Sequence, residues 1–85
     1  MRLRITQTTE GPTTVITVDG QLVGDGVAEL ARVYQAAVPP MALDLTHLQQ
    51  ADADGISTLN ALADAGAQLR GVSPYMALLL DRPQT

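Results

Sequence analysis

Apolar and polar residues alternate at the start of the chain, with Leu3, Ile5 and Gln7 on one side and Arg2, Arg4 and Thr6 on the other. A period of two predicts a half-buried strand over 2–9, near a sheet edge, with Arg and Thr toward water. Glu10-Gly11-Pro12 reads as a turn. Thr14 to Val18 is rich in β-branched residues, as a more central strand would be. So short a connection predicts an antiparallel hairpin, its second strand ending at Asp19-Gly20. The period then lengthens: Val27, Leu30, Ala31, Tyr34 and Val38 fall on one helix face, while Glu29, Arg32 and Gln35 fall on the other. Asp25 is the expected N-cap of this helix. Pro39-Pro40 stops it, because proline cannot continue the hydrogen-bond ladder and restrains the residue before it.

Met41 to Leu45 is a short apolar run interrupted by Asp44, which predicts a buried strand, and Thr46 to Ala51 reads as a polar connection. The acidic corner Asp52-Ala53-Asp54-Gly55 follows, then Ile56, Leu59, Leu62 and Ala63 at helical spacing, to about Ala65. Gly66 suits the C′ position. Residues 67–72 predict a weaker strand broken by Gly71. Ser73-Pro74 reads as a cap and first turn for a short helix, Tyr75 to Leu80, and Asp81 to Thr85 are expected to fray. The order β-β-α-β-α-β-α predicts an α/β fold with a mixed four-stranded sheet and helices packed against it. Strands two to four should lie parallel through right-handed crossovers, with the first strand antiparallel. The passage from strand through corner to helix aims free amides and the positive end of a helix dipole at solvent, a geometry that suits an anion.

Composition narrows the function. The 85 residues predict one small domain, near the size at which a single core only just suffices. Phe and Trp are absent and Tyr occurs twice, so the core must be aliphatic. With no Cys there are no disulfides, thiolate nucleophiles or Cys-ligated zinc. The net charge of −4, with no basic run, argues against nucleic acid and for a basic or apolar protein partner. No apolar run reaches the ~18–20 residues of a membrane span. The N-terminus lacks the apolar block of a secretory signal, so the expected location is cytoplasmic, without membrane insertion.

The chemistry-bearing residues are few. Asp52 either caps the second long helix or places the corner; the two roles are compatible. Gly55 suits a close backbone approach. Asp44, Asp52 and Asp54 are too few for a Mg²⁺ or Ca²⁺ loop and read as solvated loop carboxylates. His47, the only histidine, has just Thr46 as a hydroxyl neighbour and reads as a surface residue rather than a catalytic base. Gly20, Gly24 and Gly26 lack the order of a dinucleotide fingerprint and read as turn glycines. No nucleophile, base and orienting group can be assembled, so neither an enzyme nor a cofactor is expected. In the last helix, Met76, Leu79 and Leu80 are expected to face the core, leaving Tyr75 and Leu78 to the surface or to a partner.

Several segments, taken in order, resemble the STAS domain, the fold of bacterial anti-sigma-factor antagonists. They are Val18-Asp19-Gly20-Gln21-Leu22, Ala42-Leu43-Asp44-Leu45, the corner Asp52-Ala53-Asp54-Gly55-Ile56, Gly66-Ala67-Gln68-Leu69 and Gly71-Val72-Ser73-Pro74. The match spans nearly the whole chain, although many members of that family continue with a further strand and helix. The resemblance implies a non-enzymatic module in transcription regulation that binds an anti-sigma factor of the serine-kinase type. It also implies a contact surface at Asp52, Ala53, Asp54, Gly55, Ser57 and Thr58. In the family the residue after the corner Asp is a phosphorylated Ser or Thr; here it is Ala53, which has no hydroxyl. Ala53 would then hold the domain in the binding-competent form, or Asp54 would partly imitate a phosphate. We favour the first, because a side chain one position along points elsewhere. Ser57 and Thr58 are fallback phosphosites; otherwise Ser57 is a solvent-facing residue and Thr58 packs on the helix flank. The alternative role implied by the resemblance is an accessory subunit of a lipid-transporting ABC ATPase. An open sheet edge also makes a homodimer an expectation.

Overall fold

A computed structural model describes residues 3–80 of the chain. The elements are β1 (Leu3–Glu10), β2 (Thr13–Leu22), α1 (Asp25–Ala36), β3 (Met41–Asp44), β4 (Leu48–Ala51), α2 (Ala53–Asp64), β5 (Gln68–Arg70) and α3 (Pro74–Leu80). The sheet runs β1-β2-β3-β5, with β4 also paired to β2. β1 and β2 form an antiparallel hairpin, and the β2–β3, β2–β4 and β3–β5 pairs are parallel. This is the expected mixed α/β sheet with three helices. The expected fraying of Asp81 to Thr85 and the strand position of Arg2 lie outside the described residues.

The sheet departs from the expected one at a single place. The second strand does not end at Asp19-Gly20 but continues to Leu22, because the supposed connection after β3 supplies a strand to pair with it. Gly20 sits between Leu3 of β1 and Leu48 of β4. β3 takes β2 from Thr14 to Thr17, and β4 takes it from Gly20 to Leu22. The four expected columns hold, with the third divided between β3 and β4. The turn between the halves is held by Asp44, whose carboxylate accepts from the Thr46 amide (3.0 Å) and hydroxyl (2.6 Å). Across the column, the Leu45 amide donates to the Arg70 carbonyl (2.8 Å).

Ile16, Val18 and Leu22 of β2, Leu43 of β3, Leu45 and Leu48 meet Leu30 of α1, Leu59 of α2, and Met76 and Leu80 of α3 in one buried aliphatic cluster. All three helices therefore pack on one face of the sheet, as the period-two pattern requires. The other face carries Thr13, Val15, Thr17, Ala42, Asp44 and Arg70. Across it the Arg70 guanidinium reaches Glu10 at 2.9 Å.

The helix ends correct three details. α1 stops at Ala36, and Val38, expected on its buried stripe, is 73% exposed. Ala37 is already extended, and Pro39 disfavours helical backbone at Val38 after it. The Val38 carbonyl instead accepts from the Thr14 hydroxyl (2.9 Å). At the start of α1, Gly24 rather than Asp25 is the N-cap, and Asp25 lies in the first turn. In α3, Met76 and Leu80 are buried four residues apart, so Leu79 falls to the flank and is 38% exposed, with Tyr75 and Leu78 further out. The Ser73 hydroxyl accepts from the Met76 amide (3.1 Å), as a cap preceding a first-turn proline should.

Candidate functional site

The corner begins where β4 meets β2. The Asp52 amide donates to the Leu22 carbonyl (3.2 Å), fixing the point at which the chain leaves the sheet. Asp52 is extended and is the N-cap of α2; its Oδ1 accepts from the Gly55 amide at 2.8 Å. Its Oδ2 accepts from the Gly24 amide at 3.0 Å, at the start of α1. One carboxylate thus joins two helix N-termini. These hydrogen bonds to the ionised form, Gly24 first and Gly55 second, hold the Asp52 carboxyl below its ordinary value of 3.8 against a smaller opposing effect of desolvation.

A sign follows for pH. A carboxyl whose folded value is lowered stabilises the fold fully above the unfolded value and loses that contribution as the pH falls through the folded one. The Thr46 hydroxyl and amide lower Asp44 in the same direction. Stability should therefore be level above about pH 5 and decline progressively below it. Asp52→Ala should lower the melting temperature at pH 7 by roughly 4–8 °C and flatten the acid limb, read by circular dichroism melts from pH 7 to 3. An unchanged melting temperature would show that the cap and the tie contribute nothing.

From this cap the helix turns about 100° per residue. Ala53 and Asp54 are exposed, Gly55 is buried, Ser57 is exposed and Thr58 is half-buried. Gly55, expected among the contact residues, is buried. It faces inward, where a Cβ would meet the Leu22 carbonyl oxygen at 2.5 Å and the Ala51 Cβ at 3.2 Å. Gly55 lets α2 lie on the strand ends. The corner also follows a strand, β4, where the sequence had suggested a polar connection from Thr46 to Ala51. At the far end of α2, Gly66 (φ 113) closes a paired cap: its amide donates to Ala63 and the Ala67 amide to Leu62.

The other candidates are not brought to this place. Asp44 is bonded within its own turn and Asp52 to two amides. Among the described residues no group of three or more His, Cys, Asp or Glu is placed to hold a metal. The His47 side chain is exposed, with Nδ1 3.9 Å from Asp19 Oδ1, and its backbone carbonyl accepts from the Gly20 amide. Gly24 belongs to the site after all, though as a backbone donor to Asp52 and not as part of a nucleotide loop. Proximity of the β2–α1 turn to the corner has no signal in the local sequence, because it depends on β2 running on to Leu22. Among the described residues no helix is long and apolar enough to cross a membrane.

An exposed residue follows a capping aspartate, at the start of the second long helix, on a mixed sheet whose first hairpin is antiparallel. The structure of the anti-sigma factor antagonist SpoIIAA in its unphosphorylated form matches this chain with a TM-score of 0.69. The fold is shared. The match covers 98% of this chain and 84% of SpoIIAA, at 17% sequence identity. No protein-family model matches the chain. No curated protein sequence matches it either.

Proposed function

We propose that this chain is a non-enzymatic protein-binding module whose docking face is the outward start of α2, with an anti-sigma factor of the serine-kinase type as its partner. The observation that carries this reading is the Asp52 cap on a fold shared with an anti-sigma factor antagonist, which leaves Ala53, Asp54 and Ser57 facing solvent. Asp25 and Asp54 make this end of the molecule acidic, which favours a basic contact surface. Ala53 offers no hydroxyl, so the module stays in its binding form where a Ser or Thr would allow a phosphate to add roughly −1.5 to −2 charges.

Affinity capture from the source organism tests this. The wild-type chain should retain a soluble protein of the histidine-kinase fold. Ala53→Glu, a charge and a bulk at the centre of the face, should weaken that complex by about tenfold or more, equivalent to about 1.4 kcal/mol. Incubated with the captured kinase and ATP, Ala53→Ser should shift on a phosphate-affinity gel and the wild type should not. A stoichiometric shift of the wild type would place phosphorylation at another residue and end the claim of a lost switch. Capture of a membrane-associated ATPase would replace the partner with a lipid transporter.

A further inference from the structure

We infer that β1 is a self-complementary edge through which two copies of this chain pair antiparallel about a two-fold axis at Gln7. The outer strands of the sheet differ sharply. β5 and β4, three and four residues long, are too short to template another chain. β1 is eight residues long, paired to β2 without a bulge, and on its outer side no described strand covers it. It contains neither proline nor lysine, and its only charged residues are Arg4 and Glu10.

The residues along it select one register. Directly opposite residues of an antiparallel pair share a face, so the two-fold axis must pass through a residue and its own copy. With the axis at Gln7, Arg4 lies opposite Glu10 of the second copy, and Glu10 opposite Arg4 of the second copy. Thr6 lies opposite Thr8, and Ile5 opposite Thr9. Arg4, Thr6, Thr8 and Glu10 all belong to the sheet face that carries no helix, so both ion pairs form on the same side. Opposite charges placed directly across a strand pair are favourable, whereas like charges are not. Among the described residues the Arg4 side chain has no ion-pair or hydrogen-bond partner of its own. The Glu10 carboxylate already accepts from Arg70 at Oε1 and has a second oxygen for the incoming guanidinium. The pairing would join the two sheets into one. It uses residues remote in sequence from 52–58 and stands or falls independently of the proposed docking face.

Sedimentation equilibrium supplies the first readout. The wild-type chain should dimerise with a Kd on the order of 10–100 µM, as a small edge-to-edge contact would, and added salt should weaken it. Arg4→Glu should weaken association at least tenfold, by setting two carboxylates opposite each other at both ends. The double variant Arg4→Glu/Glu10→Arg should restore it to within a few-fold of wild type. Because the chain has no cysteine, a single introduced thiol reports the register. Gln7→Cys should oxidise to a covalent dimer. Thr9→Cys should not, because its two copies would lie roughly 13 Å apart. A wild-type monomer persisting to roughly 1 mM, well above the range of an edge contact, would overturn the inference. So would an Arg4→Glu variant that associates normally, a charge swap that fails to restore pairing, or Thr9→Cys cross-linking as readily as Gln7→Cys.

Discussion

Gly55→Ala destabilises this protein by about 1–3 kcal/mol, lowering the melting temperature by roughly 4–8 °C for each kcal/mol. The sign is the informative part. At an ordinary position in a helix the same change is favourable by about 1 kcal/mol, because alanine is the better helix former. Here the added methyl would sit 2.5 Å from the Leu22 carbonyl oxygen. That oxygen cannot simply retreat, since it accepts the Asp52 amide that fixes the start of the corner. The methyl also meets Ala51 Cβ at 3.2 Å and Asp52 Oδ1 at 3.3 Å, so the helix must lift away from the strand ends. A chemical-denaturation series on wild type and Gly55→Ala decides the matter. A stabilised variant would show that α2 does not lie as close to β2 as described.

Leu59→Ala costs more, about 2–5 kcal/mol, because the side chain is fully buried where α2 meets the sheet. A chain of this size commonly has only about 4–13 kcal/mol of stability, so the variant should lose a large fraction of it. The core has no Phe or Trp to fill the vacancy, and its buried aliphatic residues come from three helices and three strands that cannot all close in at once. Urea titration of the variant should show a lower midpoint with an unchanged slope. A loss below 1 kcal/mol would mean that α2 is less firmly seated than its burial indicates.

Much of this architecture was legible because the hydrophobic period changes where the elements change. The alternation around Leu3 and Ile5, the spacing of Leu30 and Tyr34, and that of Ile56, Leu59 and Leu62 each permit one kind of element. The caps at Asp52, Ser73 and Gly66 were legible too, since a side-chain acceptor or a positive φ at a helix end is a local requirement. β4 was not. Leu48-Gln49-Gln50-Ala51 has two polar, exposed residues at its centre and is a strand only because β2 extends far enough to pair with it. The length of β2 was hidden for the reciprocal reason, since Asp19-Gly20 looks like an ending until a partner strand is known.

The site followed the same division. That residues 52–58 form an exposed helix start could be read from the corner and the spacing behind it, but the inward turn of Gly55 required the position of Leu22. Asp52-Ala53-Asp54-Gly55-Ile56 reads as one block in the sequence, whereas helical rotation sorts its members into surface and support.

The double hydrogen bond of Asp52 has a mechanical consequence. Gly24 and Gly55 lie on different helices, and Gly24 is 28 residues before the aspartate, yet both amides end on the same side chain. The starts of α1 and α2 therefore share one anchor that lies outside the hydrophobic interior, and removing the Asp52 carboxylate would free both amides at once.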